Sequence, residues 1–177
     1  EEWRAGDFKL FSVDAEWGGT QVVDCRLRSV QFCWAPGVAI YIRFMDDRGN
    51  YVFDVSYAEA GAILSPWLDR PDVLYIGHHL SVDLTVLAYW LKLKWYRKGF
   101  FDTEFAEQTV DEYASLGLDR IALRYTSKGR YDLELMLWKK ANKLDSSDGY
   151  GLIPDSILIP YACLRFDSLV QLGDGSW

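Results

Sequence analysis

A chain of 177 residues, half of them hydrophobic and a quarter charged, has apolar content enough for one globular unit that buries roughly 70% of its unfolded surface, which excludes wholesale disorder. Its formal net charge of -7 argues against a protein that coats duplex DNA, because such binding rests on many Lys and Arg contacts to phosphate, but it leaves room for one metal-assisted contact with a strand end. Cys25, Cys33 and Cys163 are too scattered for a disulfide framework, no Cys-x-x-Cys pair or His cluster marks a zinc site, and no apolar run reaches the length of a membrane span, so an intracellular, reducing compartment is expected.

The chain opens on Glu1-Glu2 without an initiating Met, which reads as a single domain over residues 1–177 cut from a longer protein. Its first strand, Phe8 to Val13, runs into Asp14-Ala15-Glu16-Trp17. Side chains alternate faces along a strand, so Asp14 and Glu16 point one way while Val13, Ala15 and Trp17 point the other. Two carboxylates converging at a strand end suit a hard divalent cation such as Mg²⁺. Alone, the pair reads more readily as two solvated acids on a wet face; it becomes a site only if further acids arrive beside it.

Strands over Arg28–Trp34, Val38–Phe44 and Tyr51–Val55 follow, separated by Pro36-Gly37 and by Asp46 to Asn50, and together predict a β-meander. Ser56 is placed to cap a helix from Tyr57 to Asp69, stopped by Pro71, and Val73 to Ile76 reads as a short buried strand. Gly77-His78-His79-Leu80-Ser81-Val82-Asp83 then turns into a helix carrying Leu87 and Leu91, which sets Asp83 near the carboxyl end of the sheet. Phe101-Asp102-Thr103 reads as a helix start, with Asp102 as its cap. Further helices are predicted over Leu118–Tyr125, Tyr131–Lys140 and Tyr161–Leu172, with a polar, mobile loop over Leu144–Gly151.

Asp14-Ala15-Glu16 at a strand end, Gly77-His78-His79 followed by Asp83, Phe101-Asp102-Thr103, Gly117-Leu118 followed by Ala122-Leu123-Arg124-Tyr125, and Tyr161-Ala162 in a final helix resemble, in order, the DEDD superfamily of 3′-to-5′ exonucleases. Within it the chain is most similar to the tyrosine-type proofreading domain of family A DNA polymerases. The resemblance implies an α/β, ribonuclease-H-like fold: a mixed sheet with an initial three-stranded meander and helices on its faces. It also implies two divalent cations, Mg²⁺ or Mn²⁺, roughly 4 Å apart, that clamp a scissile phosphate. By motif, Asp14 would bridge both metals, Glu16 would hold the one that activates water, Asp83 would support the second and Tyr161 would orient the attacking water. The implied partners are a single-stranded DNA 3′ end and a polymerase domain in the same longer chain, acting in DNA replication, with no membrane involved.

One position departs from the pattern. The family reads Tyr, three residues, then Asp, whereas here Tyr161-Ala162-Cys163-Leu164 is followed by Arg165. Asp167 is a poor substitute, because at ~100° per residue it lies about 200° around the helix from position 165. Substrate contacts are fainter. Trp17 is either a wedge against a terminal base or a core residue, and His79 stands where the family often has Asn. Arg120, Arg124, Lys128 and Arg130 form a basic stretch, and Lys92 to Lys98 interleaves cations with aromatics. Three readings remain: a proofreading exonuclease weakened or silenced by Arg165, a non-catalytic exonuclease-like structural or single-strand-binding module, and an RNA-trimming exonuclease of the same superfamily.

Overall fold

Leu10–Gly18 forms β1, the middle strand of the sheet, pairing antiparallel with β2 (Arg26–Ala35) and parallel with β4 (Leu74–Gly77). The computed structural model describes residues 10–19, 21–35, 37–68, 70–95, 99–126, 131–144 and 150–173. With β3 (Val38–Arg43) outside β2 and β5 (Gly99–Asp102) outside β4, the order is β3-β2-β1-β4-β5. The first three strands make the expected meander, and the parallel pairs make the sheet mixed.

Being central, β1 is covered on both faces, and its alternation separates two chemistries. Phe11, Val13 and Ala15 join Val30, Phe32, Leu87 and Leu91 in the main core. This face is covered by the helices α1 (Tyr57–Leu68) and α2 (Leu80–Leu91). The two helices touch at Gly61, where any Cβ would lie 1.8 Å from the Leu91 carbonyl oxygen, so only glycine permits the crossing. On the other face Ser12, Asp14 and Glu16 are equally buried, under the long helix α6 (Asp155–Gly173), which packs against β1, β2, β3 and β4. Between these lie α3 (Thr103–Val110), α4 (Leu118–Tyr125) and α5 (Leu133–Ala141).

Three expectations are corrected. Tyr51–Val55 is not a strand; beyond one isolated bridge from Tyr51 to Met45, its rings pack on Phe44, with centroids 6.5 Å away for Tyr51 and 5.7 Å for Phe53. Ring packing, rather than a ladder, accounts for the apolar alternation there. Gly99–Asp102, read only as the approach to a helix, is a parallel edge strand whose first two residues are exposed, so it lacks the strand signature. The last helix begins at Asp155, six residues before Tyr161: Ile157 and Leu158 donate to the Pro154 carbonyl at 3.0 and 2.9 Å, and Pro160 is carried inside. The start of the first strand at Phe8-Lys9, the cations Arg97, Lys98, Lys128 and Arg130, and most of the loop expected over 144–151 lie outside the described residues. Among those described, no helix is long and apolar enough to cross a membrane.

Candidate active site

The β4–turn–α2 connection brings a third acid to the polar face of β1. His79 takes the left-handed conformation (φ 57°) that turns the chain into α2. The exposed N-terminus is satisfied by Asp102, which accepts from the backbone N–H groups of His79 (3.1 Å), Leu80 (2.7 Å) and Glu104 (3.0 Å). One carboxylate thus caps α2 and α3 together. This fixes Asp83, one turn in, whose Oδ1 accepts the Ala15 N–H at 3.1 Å.

The structure therefore brings Asp14, Glu16 and Asp83 together, each at most 4% exposed. The fourth member is Arg165: its Nη1 lies 2.8 Å from Asp14 Oδ2 and 3.9 Å from Glu16 Oε1. Tyr161, four residues earlier on the same face of α6, has its hydroxyl 3.4 Å from that of Tyr150.

Burial raises the Asp14 carboxyl to about 6 even against the pull of Arg165. Burial and the Asp14 charge push Glu16 and Asp83 well above the usual carboxylate range. Burial opposes the charge on Arg165, yet Asp14, with Glu16 and Asp83 behind it, holds that charge firmly. Burial also pushes the Tyr161 phenol up, so it stays protonated at neutral pH. One cation sits among three buried acids, and the fit is incomplete: Glu16 Oε1 and Arg165 Nε have no hydrogen-bond partner.

These residues do not fit a pair of divalent cations. Arg165 holds the Asp14 oxygen that a metal would need, and among the described residues no group of three or more His, Cys, Asp and Glu is placed to hold a metal ion.

A family profile described as 3'-5' exonuclease matches residues 3–162. The chain belongs to that family. It is 29% identical over 146 residues to the DNA polymerase of Escherichia phage T5, an alignment spanning 76% of this chain and 17% of that polymerase. Among solved structures it superposes on Brucella melitensis NrnC (TM-score 0.54, 17% identity, 95% of this chain and 85% of that one). It also superposes on the Aedes aegypti Nibbler EXO domain (TM-score 0.58, 14% identity, 95% and 81%). NrnC has also been solved with bound Mg²⁺ (TM-score 0.52, 18% identity, 95% and 86%). The fold is accordingly the ribonuclease-H-like exonuclease fold, and the chain is a DEDD-superfamily exonuclease domain resembling the polymerase proofreading domain.

The other residues singled out from this exonuclease sequence are engaged elsewhere. Trp17 packs against the main core. His79 Nδ1 lies 2.7 Å from Glu104 Oε2. Arg124 pairs with Glu107 and lies over the Tyr125 ring at 5.7 Å.

The residues that sequence reasoning missed are Arg28, Tyr150 and Lys139. Arg28 is 1% exposed and sits at a bulge: Glu16 faces Ser29 while Trp17 faces Leu27, leaving Arg28 as the extra residue of β2. The bulge breaks alternation and aims Arg28 at the site face. There it bonds the Tyr150 carbonyl, the Ile153 carbonyl (2.5 Å) and Asp155 Oδ1 (2.8 Å), while Arg43 takes Asp155 Oδ2. An arginine inside an otherwise strand-like run was the only available signal. Tyr150 in turn donates its N–H to the Trp17 carbonyl at 3.3 Å.

His78 supplies a pH test of this junction. Its Nδ1 lies 2.9 Å from Thr103 Oγ1, and burial, helped by Arg165, lowers its pKa to about 4 against the weaker pull of Asp102. The folded chain thus binds fewer protons than the unfolded one between about 6.5 and 4, so His78 contributes stability above that window that is lost as pH falls through it, up to about 3 kcal/mol. His78→Gln should therefore melt progressively higher relative to the parent as pH is lowered from 7 to 4.5. Parallel melting curves at the two pH values would show it, and a constant difference would remove His78 as the titrating group.

Proposed function

We propose that this chain is a proofreading-type 3′-to-5′ exonuclease domain of a DNA polymerase, with hydrolysis weakened or silenced by Arg165. The observation that carries this is the 2.8 Å contact between Arg165 and Asp14. A guanidinium delivers a fixed positive charge and planar donors to the acids. It cannot generate a nucleophile from water, as a metal does. On this reading Asp14, Glu16 and Asp83 are the surviving acids of the exonuclease centre, Tyr161 is the residue beside it that would orient water, and Arg165 replaces the fourth acid.

The substrate class is the single-stranded DNA 3′ end. Supporting it is the match to a DNA polymerase, of which the aligned segment is 17%; the rest of such a polymerase would be the partner, joined in one longer chain. The test is turnover of a 3′-labelled single strand with Mg²⁺ and then Mn²⁺, repeated with RNA. Slow or no release of the 3′ nucleotide is expected from the chain as it stands, and rapid release would refute the silencing role of Arg165.

Binding has its own signature. A site that takes a frayed end should prefer single-stranded DNA to a blunt duplex, and its affinity should fall as salt rises because phosphate contacts release counterions. Equal affinity for both forms in a salt titration would count against a 3′-end site.

A further inference from the structure

The cations and aromatics that follow Asp83 in the sequence have no part in the acid cluster. From Leu84 to Phe101 the chain carries four cations, Lys92, Lys94, Arg97 and Lys98, and no acid, in a protein whose net charge is -7. The described part of this stretch lies at the end of the sheet away from the acids. Asp83 is in the first turn of α2 and Lys92 caps its last, which separates them by roughly 14 Å along the helix axis. Gly99 and Phe100 open β5 beside Leu74, the first residue of β4. Asp72, which leads into that end of β4, is already paired with Arg70 at 2.5 Å. Two rings stand out on this surface, Tyr89 and Phe100, each 41% exposed. Both are braced from behind. Tyr89 meets the Trp90 ring edge-on with centroids 5.3 Å apart, and Phe100 meets Trp95 at 6.4 Å, whose indole N–H is fastened to the Leu84 carbonyl at 3.1 Å. Lys92 and Lys94, between them in the chain, are exposed, and the Lys92 ammonium lies over the Tyr89 ring, 4.9 Å from its centroid.

Lys92 holds the left-handed conformation (φ 57°) at the end of α2, a place that glycine fills with less strain. A cation at a helix C-terminus is favourable by itself; that accounts for one lysine and not for two braced, exposed rings. Rings that accept stacked bases, interleaved with cations that reach phosphates, are what sequence-tolerant recognition of a single strand requires. An acidic peptide would use the cations and leave the rings idle. We propose that this end of α2 and β5 is a second contact for a single-stranded polynucleotide, with Tyr89 and Phe100 stacking bases and Lys92 and Lys94 holding phosphates, independent of the 3′ end and of any metal. Lys92 turns from the ring face to a phosphate as the base arrives, exchanging a cation–π contact for a charge-assisted one. The site would hold the body of a strand while the acid cluster meets its end. Its ligand class rests on the function proposed above; its geometry does not.

The test is a labelled circular single-stranded oligodeoxynucleotide, which has no 3′ end to offer the acid cluster, titrated with the whole chain in EDTA by fluorescence anisotropy. Saturable binding that weakens with salt is expected. Lys92→Gly combined with Lys94→Gln should weaken it about tenfold and lower the salt slope by about 1.4, the share of two phosphate contacts on a single strand. Glycine suits the left-handed position, so this variant should melt about as high as the parent, which separates binding from folding. Tyr89→Leu should weaken binding roughly fivefold, the low end of one stacked base, while Tyr89→Phe, which keeps the ring, should not. A circular RNA reports the sugar preference, and binding of either circle supports the site. Absence of binding to both circles, or affinity that none of these substitutions changes, overturns it. Loss with the lysines but not with Tyr89→Leu overturns it too, since that marks a patch for any polyanion. Failure here is distinguishable from failure of the functional reading: a chain that ignores the circle but takes a linear strand by its 3′ end loses this site alone, and one that binds the circle yet shows no preference for a free 3′ end keeps it.

Discussion

Arg165→Asp is expected to convert a slow or inert chain into an exonuclease, raising release of 3′ nucleotides from single-stranded DNA by orders of magnitude and tightening Mg²⁺ binding. The substitution removes the guanidinium now 2.8 Å from Asp14 and sets a fourth carboxylate where the pattern that this sequence resembles would place one. Four buried acids repel one another until a cation arrives, so the same change should make the metal-free protein less stable. Breaking a buried ion pair costs about 3–5 kcal/mol, which for a chain of this size is roughly a 10 °C fall in Tm. Mg²⁺ should then restore much of the loss in the variant and leave the parent nearly unmoved, since a ligand stabilises only the state that binds it. Arg165→Met is the control: it removes the cation without supplying an acid, and should lose stability without gaining turnover. Exonuclease assays and melting curves in EDTA and Mg²⁺ decide the matter. If the parent already turns over rapidly and Arg165→Asp adds nothing, Arg165 is not what limits the chemistry.

How much of this was legible in the sequence follows from the range of the forces involved. Asp14, Glu16 and Asp83 were legible because local rules place them: alternation along β1 puts the first two on one face, and a strand, turn and helix start carry the third to the carboxyl end of the sheet. Arg165 was legible only through the resemblance, whose pattern of Tyr, three residues and Asp sets an acid at the position where this sequence has Arg165. What escaped depends on contacts distant in sequence. The β5 strand exists because Gly99–Asp102 finds β4 across the intervening α2, and nothing in four residues with two exposed announces it. Tyr51 to Val55 has the composition of a strand, but it stays largely exposed and lays the Tyr51 and Phe53 rings against Phe44 instead of pairing in the sheet. Arg28 was hidden most completely. A one-residue bulge reverses the face to which it belongs, and period-two reasoning cannot anticipate a register shift. Its partners, moreover, lie more than 120 residues further along the chain.

That hidden residue yields the second large effect. Arg28→Met is expected to destabilise the chain by about 3–5 kcal/mol, again roughly 10 °C in Tm. A buried ion pair can sometimes be replaced by apolar side chains at little cost, but here two of the three acceptors are the backbone carbonyls of Tyr150 and Ile153, which no side-chain substitution removes. Met fills comparable space and leaves both carbonyls without that donor, and Asp155 with only the half-exposed Arg43. Lys at position 28 should recover less than half of the loss, since one ammonium cannot span three acceptors that a planar guanidinium reaches together. The damage should also reach the site, because the Tyr150–Asp155 segment leads directly into α6, which carries Tyr161 and Arg165. A double-mutant cycle with Asp155→Asn isolates the pair: Asn should cost clearly less in the Arg28→Met background than in the parent. If Arg28→Met melts within 2–3 °C of the parent, or the two substitutions simply add, Arg28 is not what fastens the start of α6 to the sheet.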